Sequence, residues 1–136
     1  MTAMADYLED NIRKHMFRTG SYTKPTVLGH ALYTAAPGEA GGGTEVTGGS
    51  YARIDRPPLD ANWSAPDTTG GLTANLAAIT FAAPSANWGV VTHMAILDAT
   101  TAGNFLFYGA LTTPKTINNG DAAPSFAIAA LSITFA

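Results

Sequence analysis

The chain has 136 residues, seven Lys or Arg against ten Asp or Glu, a net charge of −3 and no cysteine. That length suits one domain able to bury roughly two thirds of its unfolded surface, and the missing cysteines exclude disulfides and thiolate metal sites. The bases form no patch suited to nucleic acid, and no apolar run approaches the ~18 residues of a membrane span.

No charged-then-apolar signal opens the chain, so a soluble protein without an export signal is expected. Charge is unevenly spread. Six of the seven bases lie in the first 56 positions, and the last eighty residues hold only Asp60, Asp67, Asp98, Lys115 and Asp121. A stretch of average composition would carry about twenty charges. Two explanations stand: a small neutral all-β domain, or a surface covered by copies of itself or by another protein, since charge is depleted at interface centres.

In chain order, the first element is a helix over about residues 4 to 18. Asp6 with Glu9 resembles a capping box, Met4, Leu8, Ile12 and Met16 recur every four residues, and Gly20 is placed to end the helix. Acids precede bases along it, which complements the helix dipole. Its narrow apolar stripe either packs within the chain or docks as an arm on a neighbouring subunit. Leu8, Ile12 and Met16 are the candidate interface residues of that arm.

Thr26 to Thr34 reads as a strand, 37 to 49 as a Gly-rich loop, and Tyr51 to Ile54 as a short strand stopped by Pro57-Pro58. The polar segment Leu59 to Gly71 reads as a long loop; its Trp63 is the fourth candidate interface residue. Leu76 to Phe81 resumes the β pattern. Two apolar runs, 87 to 98 and 105 to 116, predict two buried strands joined by a turn at Thr100 to Asn104. Asn118 to Asp121 is a further turn, and Leu131 to Phe135 alternates as a half-buried strand. Seven or eight short strands predict a mainly β protein: one antiparallel β-sandwich or jelly-roll-like domain at 21–136, preceded by a helical arm at 1–20. Ile79-Thr80-Phe81-Ala82 recurs as Ile133-Thr134-Phe135-Ala136, an echo short enough to arise by chance.

The search for chemistry is mostly negative. His15, His30 and His93 have no metal-ligand spacing, and His30 and His93, each inside an apolar run, read as structural histidines. Gly41 to Gly43 and Gly48-Gly49 lack the Lys-Ser/Thr and helix start of a phosphate loop. Asp55, Asp60 and Asp67 are not spaced as a glycosidase pair or a calcium loop. No catalytic residue, metal or cofactor is expected. Trp88, Phe105 and Phe107 read as core, and the aromatics as a set could also serve as interface anchors or a sugar-stacking surface.

Several segments carry a family resemblance. Tyr7-Leu8-Glu9, Tyr22-Thr23-Lys24-Pro25, Gly48-Gly49-Ser50-Tyr51-Ala52-Arg53, Asn87-Trp88-Gly89-Val90-Val91-Thr92-His93 and Leu106-Phe107-Tyr108-Gly109-Ala110-Leu111 resemble small tailed-phage and prophage virion proteins, as do Ile79-Thr80-Phe81 and Pro114-Lys115-Thr116-Ile117. Members are labelled tail-fibre proteins, and some behave as head decoration proteins. The resemblance implies a non-enzymatic virion component assembled in the host cytoplasm, with self-association, a trimer included. The favoured expectation is a capsid decoration or cement protein bound to the major capsid protein. The alternative is a tail-fibre or tail-tip module that binds tail proteins and meets a host glycan or protein receptor.

Overall fold

The computed structural model describes residues 3–68 and 70–135. Its elements, in chain order, are β1 (Ala3–Met4), α1 (Asp6–Phe17), β2 (Gly29–Ala35), β3 (Thr44–Glu45), β4 (Ile54–Asp55), β5 (Leu72–Ala74), β6 (Ile79–Thr80), β7 (Gly89–Leu97), β8 (Phe105–Ile117), β9 (Ser125–Phe126) and β10 (Ser132–Thr134). The two long apolar runs become β7 and β8, the centre of a six-stranded antiparallel sheet ordered β1-β8-β7-β2-β3, with β4 also paired to β2. Two small ribbons, β10 with β5 and β6 with β9, supply strands of the second layer. The architecture is that of a β-sandwich with one helix.

Strand alternation sends side chains to both faces of the sheet. Leu32, Met94 and Ile96 point to one side and join Ile79, Phe81, Leu131 and Ile133 of the second layer in the main core. Ala31, Tyr33, Ala95 and Leu97 point to the other and form a smaller cluster with Phe105 and Tyr108. The β7–β8 turn is fastened by Asp98, whose carboxylate accepts the Asn104 backbone N–H at 2.7 Å and its side-chain amide at 2.8 Å.

Several expectations are corrected. The run at 105–116 is not buried throughout: positions 110 and 112–116 are exposed. Among the described residues β1 pairs β8 as far as Tyr108, and the remainder of β8 is a sheet edge. There Val91 faces Lys115 while His93 faces Ala110, so residues 111–114 bulge opposite Thr92. Pro114, which has no N–H to give a ladder, is tolerated at such an edge. The helix begins at Asp6 with Ala5 as its cap residue and no side-chain cap, and it ends at Arg18 in extended backbone, so neither the capping box nor Gly20 defines it. The expected strand at Tyr51 to Ile54 shrinks to Ile54–Asp55, because Tyr51 and Arg53 hold the sheet through their side chains.

For the helical arm at 1–20 the sequence leaves two outcomes open, packing within the chain or docking on a neighbouring subunit. Residues 3–12 are tied into the sandwich: β1 joins the sheet, Ala5 N–H donates to the Leu106 carbonyl at 2.9 Å, and Leu8 lies in the main core with Ile12 against it.

Candidate interaction surface

The segments most specific to the resemblance meet in space. Trp88 donates its indole N–H to the Gly49 carbonyl at 2.9 Å, the Tyr51 ring meets Trp88 edge-on at 5.3 Å, and the Ser50 and Ser85 hydroxyls lie 2.7 Å apart. Gly49 has φ +54°, and a Cβ there would lie 2.9 Å from the Trp88 indole nitrogen, so only glycine fits.

Tyr51 accepts the Leu32 N–H and donates to Glu45. Arg53 forks onto both Glu45 oxygens at 2.8 and 2.7 Å and donates to the Ala99 and Ala102 carbonyls of the β7–β8 turn. The Glu45 hydrogen bond raises the Arg53 pKa, and burial raises that of Tyr51. Burial likewise pushes Tyr33 up to about 12. Glu45, Tyr51 and Arg53 fasten the segment after β3 to the sheet, with hydroxyl, carboxylate and guanidinium engaged inside the fold.

Of the four candidate interface residues, the structure brings Leu8 into the core and packs Ile12 against it, and it leaves Met16 67% exposed. Trp63 is buried and stacked on His30 with ring centroids 5.6 Å apart. Its indole N–H points at the Arg56 and Pro57 carbonyls. Its polar loop folds inward because that indole has both an aromatic partner and acceptors there. His30 is fully buried and its Nδ1 lies 3.1 Å from the Ile54 carbonyl; burial pushes its pKa down to about 4. His93 meets the Thr92 hydroxyl at 2.8 Å.

The open surface lies beside Trp63. A groove of about 810 Å³ is floored by Leu28, Trp63, Phe107 and Ile133 and walled by Leu59, Leu76 and Phe135, with Lys24 and Asp60 at its polar margin. Leu59 is 57% and Phe135 53% exposed, and Phe135 stands edge-on to Phe107 at 5.6 Å. Sequence reasoning missed this groove, since its lining runs from Lys24 to Phe135, segments over a hundred positions apart. A second exposed apolar feature is the end of α1, where Phe17, 79% exposed, adjoins Met16.

The groove is lined mainly by apolar side chains, while Glu45, Tyr51 and Arg53 are engaged with other groups of the fold. The comparison with known families gives the class of protein. A family model described as Podophage GP4 fiber I protein gp80 matches residues 3–134, and the chain belongs to that family. It is therefore a structural protein of a bacteriophage. No curated protein matches the chain.

Proposed function

We propose that this protein is a fibre module on the tail of a podophage virion, assembled in the host cytoplasm, held by tail proteins and presenting its loops to a host surface glycan or protein. The observation that carries this reading is the match to a fibre-protein family over almost the whole chain. The favoured expectation from sequence, a head decoration protein on the capsid lattice, draws no such support; the family description names a fibre.

The role is non-enzymatic. The strongest candidates for proton chemistry, His30 and His93, engage groups of the fold. The sparse charge of residues 57 to 136 and the apolar groove suit a part that works by contact. Gold-labelled antibody against this chain, viewed on intact virions by electron microscopy, tests the placement. Gold confined to the tail is expected; gold spread over the capsid shell would return the decoration role.

A further inference from the structure

We propose that the cleft between β8 and the second layer binds a carboxylate-bearing sugar unit of a surface glycan, with Lys115 as the partner of the carboxylate. The cleft, about 340 Å³, lies beside the stretch of β8 that bulges opposite Thr92. Bulges recur next to binding and active sites, where they re-aim side chains. Phe81, Met94 and Leu131 of the main core, with half-buried Phe126, give the cleft an apolar floor. Thr112, Thr113, Lys115, Ser125 and Ser132 supply its polar lining. Among the described residues, none of these five side chains is held by a hydrogen bond or ion pair within the fold. Four hydroxyls and one ammonium therefore meet at one cleft with their bonding capacity unused.

Charge sets the sign of the ligand. Lys115 is the only Lys or Arg after Arg56, and no Asp or Glu lines the cleft. Lys115 pairs in register with Val91, and directly opposed residues share a face of the sheet, so the lysine leaves β8 on the side where Val91 enters the main core. It is nevertheless exposed. One cation without an acid beside it suits one anionic group. The rest of the lining narrows the class. A free phosphate or sulfate would leave the apolar floor uncovered, and an acyl chain would leave the hydroxyls unused. A sugar ring has a C–H face for the floor and hydroxyls for the Thr and Ser groups, and a cavity at the small end of the roughly 300–1,000 Å³ range suits so compact a ligand. An inward-facing charge at a sheet edge also blunts that edge; that role alone predicts no preference among sugars. The inference deepens the receptor reading proposed above and rests on it for the source of the sugar. Gold labelling tests the placement on the virion and the purified chain tests the cleft, so the two fail separately.

The full chain, isotope-labelled for amide NMR, is titrated with glucuronate, galacturonate and N-acetylneuraminate, and with glucose, galactose and N-acetylmannosamine as their neutral counterparts. Each is taken to about 20 mM, enough to occupy most of a millimolar site. At least one acid is expected to shift the amides of Thr112, Thr113 and Lys115 together with those of Ser125 and Ser132. It is expected to bind about fivefold more tightly than its neutral counterpart, the effect of one partly exposed ion pair. Lys115→Gln is expected to abolish that preference with the thermal midpoint unchanged, since Lys115 is exposed. No shift from any of the three acids, shifts confined to other parts of the chain, equal binding of acid and neutral sugar, or a preference that survives Lys115→Gln would each overturn the proposal.

Discussion

Asn75→Ala is expected to destabilise the protein by about 3 kcal/mol, a large share of the roughly 5–15 kcal/mol that holds a domain together. Asn75 is fully buried, and its side chain joins segments distant in sequence. Its amide donates to the Ala77 carbonyl at 2.9 Å and the Ala127 carbonyl at 2.8 Å, while its oxygen accepts the Leu131 N–H at 2.9 Å. Its own backbone completes the junction, N–H to the Leu131 carbonyl and carbonyl from the Ala129 N–H. Alanine would leave the Leu131 N–H stranded in the core and two carbonyls short of a donor. Buried groups left unpaired cost more than the net worth of the bonds removed. Urea unfolding of wild type and variant gives the difference directly, and a loss below 1 kcal/mol would contradict this role.

Acid is expected to weaken the fold through His30. Burial lowers its pKa from 6.5 to about 4, against the weaker opposing effect of the Ile54 and Leu28 backbone, of which the Ile54 carbonyl lies within hydrogen-bond distance; nearby Arg56 lowers it further and Asp55 raises it. The folded state therefore keeps the imidazole neutral where the unfolded chain binds a proton. Between pH 6.5 and 4 the unfolded state holds more protons, so stability falls as pH falls through that window and levels off below pH 4. At about 1.4 kcal/mol per pH unit, the loss reaches about 2 kcal/mol by pH 5 and about 3 kcal/mol by pH 4. His30→Gln, which cannot titrate, is expected to flatten the curve between pH 7.5 and 5. A variant whose stability falls over that range as steeply as wild type would show that another group carries the effect.

Both effects sit at positions of different legibility. His30 inside an apolar run reads as structural from the sequence, and the structure buries it against Ile54 and Trp63. Asn75 gives no signal, because its partners lie up to 56 positions away and an asparagine between short apolar stretches looks like any turn residue. The long strands β7 and β8, nine and thirteen residues, were legible because the apolar runs next to the turn, 94–97 and 105–108, flank a strong turn. The two- and three-residue strands of the second layer were not, since a pair of residues has no period. Ile79-Thr80 and Ile133-Thr134 do fall in strands of that layer, but they pair with different partners.

Trp63 shows the same limit for the candidate surface. Polar neighbours in sequence suggested exposure, whereas stacking on His30 and acceptors from Arg56 and Pro57 draw it inside. Met16 was legible as a candidate only through its four-residue spacing from Ile12; the spacing does not show that it stays exposed near the end of the helix. The motifs around Gly49 and Trp88 were recognisable as segments, and their reason is now physical: they meet across the fold and fix the loop that Arg53 clamps.

The fibre assignment is tested most directly by the copy number of this protein in purified virions, counted by quantitative mass spectrometry against the major capsid protein. The account predicts a few to a few tens of copies per particle, the number a tail can carry. A ratio near one copy per capsid subunit would contradict it and place the protein on the head.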